Sequence, residues 1–247
     1  MRIPRFYTPD SLEPGQAFTL SPELFRHAIQ VLRLQPNDPM ILFNGERGEY
    51  LCRLNTVSKR EASLIIEAFH AVERESSQRL TLVQSIIKPD KMDFAIQKCT
   101  ELGISVIQPV ITQRSVVRLG QDKQDKKLAH WQAIAISACE QSGRTSIPDI
   151  LPPLSLEHWL AQTPHINTAR LFFMPGDYPR LNSLGLLPSD TQTIEVLIGP
   201  EGGFTEEEIS HCLAQGLIGA SLGPRVLRAE TAAVTVTALL QHQHGDL

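Results

Sequence analysis

The run Ile194-Glu195-Val196-Leu197-Ile198-Gly199-Pro200-Glu201-Gly202-Gly203-Phe204-Thr205-Glu206-Glu207-Glu208-Ile209 decides how the rest of the chain is read. Its first half is apolar and β-branched, the signature of a buried strand. Gly199, Pro200 and the Gly202-Gly203 pair then end the strand and let backbone come close to another group. Thr205 and Glu208 stand three apart, a capping box that starts a helix. Strand, glycine loop and helix in that order mark where α/β sheets hold ligands, beyond the carboxyl ends of the strands. A second such stretch, Ser221-Leu222-Gly223-Pro224-Arg225-Val226-Leu227-Arg228-Ala229-Glu230-Thr231, follows closely, and the two loops are expected to share one pocket.

Outward from this centre the chain changes character once. Residues 1–70 contain a short helix opened by Ser21-Pro22, with Leu24, Ala28, Val31 and Leu32 as its apolar face. Closely spaced strand patterns follow at Met40 to Phe43, Tyr50 to Val57 and Ala62 to Phe69, which predicts a small antiparallel barrel. Val72 to Gln78 reads as a polar linker. From residue 79 strands and helices alternate: strands at Leu80 to Ile87, Val106 to Ile111, Ala169 to Met174, Ile194 to Ile198 and Ile218 to Leu222. Helices are expected at Met92 to Leu102, with Phe94, Ala95, Cys99 and Leu102 on one side, at Lys123 to Ser142, after Ser155, and from Thr231 to His242. That alternation means a parallel sheet covered on both faces. Two domains result, 1–70 and 79–247.

Composition narrows the class. Of 247 residues 42% are hydrophobic and 20% charged, which describes an ordinary globular protein. No apolar run reaches the ~18 residues of a membrane helix. The start, Met1-Arg2-Ile3-Pro4-Arg5-Phe6-Tyr7, lacks the apolar centre of a signal peptide, so a cytoplasmic location is expected. Cys52, Cys99, Cys139 and Cys212 are far apart and form no C-x-x-C pair, so neither disulfide nor metal is expected, and Cys99 and Cys139 read as small core residues. The net charge of −4 argues against a strongly basic nucleic-acid domain, although Lys and Arg gather between Arg79 and Arg144.

The glycine loop lacks both G-x-G-x-x-G and G-K-[ST], and three glutamates follow it, so neither dinucleotide nor triphosphate mechanisms find their parts. A neutral nucleoside recognised by backbone groups fits better; a plain strand–helix turn is the bland reading. Arg225 and Arg228 suit an RNA phosphate or base edge, against the alternative of a surface Arg–Glu pair. The scattered histidines, among them His27 on the polar side of the first helix, have no carboxylate or nucleophile at a recognisable spacing and receive no catalytic role. Glu140-Gln141-Ser142-Gly143-Arg144 is either a helix end or part of a site.

The two loops together resemble those of the SPOUT methyltransferases, and more closely the bacterial 16S ribosomal RNA uridine-N3 methyltransferase family. Arg5-Phe6-Tyr7, His27 to Arg33, Lys98-Cys99-Thr100-Glu101-Leu102-Gly103, Gln113-Arg114-Ser115 and Glu140 to Arg144 extend the resemblance over nearly the whole chain. Pro224 stands where the resemblance implies a more variable, often basic, residue. The resemblance implies a PUA-like β-barrel followed by an α/β methyltransferase domain with a trefoil knot, a topology that chains rarely adopt. It also implies a homodimer, bent S-adenosylmethionine as cofactor, no metal, and 16S rRNA or the assembled small ribosomal subunit as partner. By it, Met174, Pro175, Leu197, Gly199, Pro200, Gly202, Leu222, Gly223 and Leu227 border the cofactor. Arg228 and Glu230 are the expected catalytic pair, one facing charge on a uracil carbonyl oxygen and the other taking the N3 proton. Arg2, Arg5, Arg26, Arg33, Arg114, Arg118 and Arg144 are the expected phosphate contacts. Two other readings are a ribose 2′-O methyltransferase of the same superfamily and a non-catalytic RNA-binding ribosome-assembly protein.

Overall fold

The structure, a computed structural model, describes residues 3–115, 124–183 and 191–247. The chain divides into two units: Met1–Glu75 with Cys139–Ile147, and Ser76–Ala138 with Pro148–Leu247.

The first unit is a five-stranded sheet. Its elements are β1 (Arg5–Tyr7), β2 (Ala17–Thr19), α1 (Pro22–Phe25), β3 (Pro39–Phe43), β4 (Glu49–Val57) and β5 (Ala62–His70). The spatial order is β1-β3-β4-β5-β2. The antiparallel expectation holds for every pair except β1 and β3, which run parallel. The long connection through α1 makes that possible, since parallel neighbours need a crossover rather than a hairpin. Phe6, Met40, Leu42, Leu54, Leu64 and Ile66 fill the core.

The first helix departs from its expected face. Ser21 caps it as predicted, its hydroxyl accepting the Leu24 N–H. From Arg26 to Val31, however, the backbone opens into a π-helix, and the Leu32 N–H bonds to the His27 carbonyl, five residues back. The wider turn shifts the register. Leu24 and Ala28 stay buried and Phe25 joins them, while Val31 (63% exposed) and Leu32 (45%) face outward.

A chain of buried charges binds the edges of this unit. Arg5 pairs with Glu49, which also accepts from Arg74 at 3.0 Å. A second Arg5 amine donates to the Arg144 carbonyl at 2.8 Å. Arg144 itself donates to Glu75 (Nε–Oε2 2.9 Å), whose other oxygen accepts the Thr145 and Ser146 N–H groups. The Glu140 carboxylate accepts the Tyr7 N–H at 3.0 Å. Residues 139–147 therefore belong with the first unit by contact, and Glu75, read from sequence as part of a linker, is an anchor.

The second unit carries a seven-stranded, wholly parallel sheet. In chain order it contains β6 (Arg79–Ser85), α2 (Pro89–Glu101), β7 (Val106–Ile111) and α3 (Gln124–Ser142), whose last residues lie in the first unit. Then come β8 (Asp149–Ile150), β9 (Leu154–Ser155), α4 (Leu156–Leu160), β10 (Thr168–Phe173), β11 (Thr193–Ile198), α5 (Glu206–Ala214), β12 (Ile218–Ala220) and α6 (Ala229–His244). The order is β12-β10-β11-β6-β7-β8, with β9 also paired to β7. Each carboxyl end points the same way, so the loops after β6, β10, β11 and β12 collect on one edge. The central strands are buried on both faces, and the charge of Glu195 within β11 is matched by Arg170 beside it on β10, at 2.7 Å. On α2 the buried face is Met92, Ala95, Ile96 and Cys99. Phe94, placed on that face by the sequence reading, is 45% exposed because it lies half a turn away from Met92. Among the described residues no helix is long and apolar enough to cross a membrane.

Candidate functional site

The capping box forms as expected: Glu208 Oε2 accepts the Thr205 N–H at 2.9 Å and the Thr205 hydroxyl accepts the Glu208 N–H at 3.2 Å. The other Glu208 oxygen takes the Gln113 N–H at 2.8 Å, which ties the end of β7 to the start of α5. Three more bonds hold the glycine loop. The Lys88 N–H donates to Glu201 at 3.2 Å, and the Arg114 guanidinium donates to the carbonyls of Gly202 (3.0 Å) and Phe204 (3.3 Å). These bonds tie the loop backbone in place beside the cleft. At Gly199 a Cβ would lie 3.1 Å from the Phe204 ring, and at Gly202 one would lie 3.2 Å from Arg114 Cβ. The bulk that Gly199 avoids is therefore Phe204, which lines the cleft.

The two glycine stretches do share one pocket. A cleft of about 660 Å³ lies between the loops after β10, β11 and β12 and the start of α2. Such a volume falls within the range that encloses a nucleoside-sized ligand. Met174, Pro175, Gly199, Pro200, Gly202, Leu222, Gly223 and Leu227 all line it, as do Arg228 and Glu230. Leu197 does not line it: fully buried, it packs with Val83, Phe172 and Phe204 in the sheet core. Strand alternation explains this, since Ile198 one residue later faces the cleft instead.

Sequence reasoning missed Lys88, Lys91, Arg114 as a loop clamp, Phe204 and Val226 as cleft residues. A signal for the lysines existed: Lys88-Pro89-Asp90-Lys91 stands at the carboxyl end of β6, with Pro at the first helical position, the same arrangement that marked the glycine loop. Lys91 reaches Glu230 at 3.6 Å and Asp90 at 3.5 Å. Glu230 is buried on the first turn of α6, where the helix dipole favours a carboxylate. Arg228 stands at the N-terminal boundary of this helix, with an exposed side chain at the cleft.

The expected phosphate contacts separate sharply. Arg5 and Arg144 are 8% and 6% exposed and are committed to Glu49 and Glu75, so burial replaces the surface role read from sequence. Arg26 and Arg33 are exposed in the first unit, and Arg114 is exposed at the cleft. Arg2 and Arg118 lie outside the described residues. All four cysteines are buried and free, and burial pushes each thiol up to about 12. Among the described residues no group of three or more His, Cys, Asp or Glu could hold a metal ion.

Residues 74–241 match the RNA methyltransferase domain family and residues 20–67 the RNA methyltransferase PUA domain family. A ribosomal RNA small subunit methyltransferase E of Buchnera aphidicola is 33% identical, over 100% of this chain and 98% of its own. The one from Bacillus subtilis is 29% identical over 96% of this chain and 94% of its own. Among solved structures, a Neisseria gonorrhoeae ribosomal RNA small subunit methyltransferase E bound to S-adenosylmethionine superposes with a TM-score of 0.91 at 37% identity, covering all of both chains. A Legionella pneumophila protein with bound S-adenosylmethionine superposes with a TM-score of 0.94, also at 37% identity and full coverage. Parallel sheet, strand-end cleft and family matches together define an RNA methyltransferase with a PUA domain. Within that class the chain belongs to the ribosomal RNA small subunit methyltransferase E family.

Proposed function

We propose that this chain transfers the methyl group of S-adenosylmethionine to N3 of a uridine in 16S rRNA of the small ribosomal subunit. The observation that carries the reading is the cleft itself, closed by two glycine loops and ending at Arg228 and Glu230. Its walls fit an adenosyl group: Met174, Ile198, Leu222 and Leu227 offer apolar surface, and the glycine loop offers backbone without an intruding side chain. Similarity to two chains solved with S-adenosylmethionine supports the same ligand, and similarity to ribosomal RNA small subunit methyltransferases supports the RNA of the small subunit. When bound, S-adenosylmethionine supplies a sulfonium methyl that is already activated.

The chain's own residues then have three tasks. The loops 199–203 and 222–227 hold the donor while the cleft mouth admits a single flipped-out base; positioning of this kind lowers a barrier by on the order of 7–11 kcal/mol. Arg228 faces the negative charge that develops on a uracil carbonyl oxygen. Glu230 is the group placed to take the proton that N3 must lose when the base is methylated. Exposed Arg26, Arg33 and Arg114 hold phosphates.

The fold part of the proposal is a trefoil knot. The chain passes from β11 beyond β10 to β12, and α6 then packs on β11, β6 and α2, an order that supports this reading. The enzyme is further proposed to be a cytoplasmic homodimer. Incubation with methyl-labelled S-adenosylmethionine and small subunits lacking the modification, then digestion to nucleosides and mass spectrometry, tests the reaction. The expected product is 3-methyluridine. A 2′-O-methylnucleoside would move the chain to ribose chemistry, and no transferred label would leave an RNA-binding assembly role.

A further inference from the structure

Lys91 lies in the first turn of α2 and Glu230 in the first turn of α6, and these two helices pack against each other. The lysine Nζ stands 3.6 Å from Glu230 Oε1 and 3.5 Å from Asp90 Oδ2, with its side chain 35% exposed and that of Glu230 only 9%. A separation of 3.6 Å is an ion pair but not a hydrogen bond. The lysine therefore supplies charge to the buried carboxylate without claiming the oxygen lone pairs, which stay available to a donor entering the cleft. Asp90, on the solvent side, is the second carboxylate beside the same ammonium.

We infer that Lys91 is a positioning residue for the methyl-acceptor end of the cleft: it fixes the Glu230 carboxylate in place and acts on the base only through it. The inference rests on the proposed N3 methylation, in which Glu230 is the group that meets the N3 proton. Two features favour this over a plain surface pair. One partner is buried on the cleft wall, and both residues border the same space as Arg228 and the glycine loop. A buried carboxylate without its cation is a costly arrangement, so loss of Lys91 lets Glu230 reorient.

The test is a double-mutant cycle on the intact protein, with Lys91→Met, Glu230→Gln and the double variant. It is read by single-turnover methylation of small subunits and by calorimetric affinity for S-adenosylmethionine. Lys91→Met, of similar length but uncharged, is expected to slow methyl transfer about ten-fold or more, with donor affinity unchanged. Lys91→Arg is expected to recover much of the rate. In the Glu230→Gln background, Lys91→Met is expected to add less than a two-fold effect, because residues acting as one unit are not additive. Multiplying effects in the double variant, or a Lys91→Met enzyme as fast as wild type, overturns the inference. Should Lys91→Met fold poorly, as thermal unfolding would reveal, the same cycle with Lys91→Gln decides it. Failure of the broader reading is distinguishable: wild-type protein would then yield no 3-methyluridine in the same assay.

Discussion

Arg228 and Glu230 occupy the end of one cleft through different local devices. Arg228 stands at the N-terminal boundary of α6 with its side chain exposed and no capping bond, while Glu230 is drawn inward by the first helical turn and by Lys91. Removing one preorganised donor to developing charge costs about 10²–10³ in rate. Arg228→Ala is therefore expected to lose that much single-turnover methylation, with the calorimetric affinity for S-adenosylmethionine near wild type; an equal loss of affinity would make it a cofactor ligand instead. The cysteines give a second prediction at this scale. With each thiol pushed up to about 12 and buried, native protein at pH 8 is expected to react with a thiol reagent only at the rate of unfolding. Rapid labelling of Cys212 or Cys52 would contradict their burial. Glycines and prolines announced the loop residues from sequence, because those residue types report backbone demands directly. Arg5 and Arg144 were misread because an arginine looks the same in sequence whether it meets solvent or a buried carboxylate; only the fold brings Glu49 and Glu75 to them.

At the scale of elements, caps and periodicities were legible and deviations from regular helix were not. The Ser21, Ser155 and Thr205 caps all form where the sequence put them. The π-helix after α1 left no mark in the hydrophobic pattern, and it alone turned Val31 and Leu32 outward. The edges of the first sheet depend on the Arg5–Glu49–Arg74 cluster. Burial raises the Glu49 carboxyl, but the Arg74 hydrogen bond and the charges of Arg5 and Arg74 outweigh it and hold Glu49 below its ordinary range. A carboxylate depressed in this way contributes stability above its unfolded value and loses it as pH falls through the folded value. Glu49→Gln, which removes the carboxylate charge facing the buried Arg5 guanidinium, is expected to cost about 3–5 kcal/mol at pH 7. Its unfolding midpoint is expected to depend less on pH below about 4 than that of wild type. Parallel acid slopes for the two proteins would show that Glu49 is not the group responsible.

For the molecule as a whole, the α/β class and the convergence of two loops on one cleft were readable because strand–helix alternation and strand-end glycines are local signals. Strand order was not. Nothing in the local pattern says that β12 lies beyond β10, or that β1 runs parallel to β3, since pairing between distant strands is decided by the global burial of both faces. Nor did the sequence reveal that residues 139–147 join the first unit, which depends on the partners of Glu75 and Glu140. The cleft bounded by residues 174–175, 199–204 and 222–230 is the place proposed for the methyl donor. Calorimetric titration of S-adenosylmethionine into wild-type protein and Gly199→Val tests it most directly, because valine there presses on Phe204, 3.1 Å from even the first added carbon, and deforms the loop. Saturable binding to wild type is expected, with at least about a ten-fold loss of affinity in the variant, which is about 1.4 kcal/mol. Equal affinity in both, with the variant folded, would place the donor elsewhere.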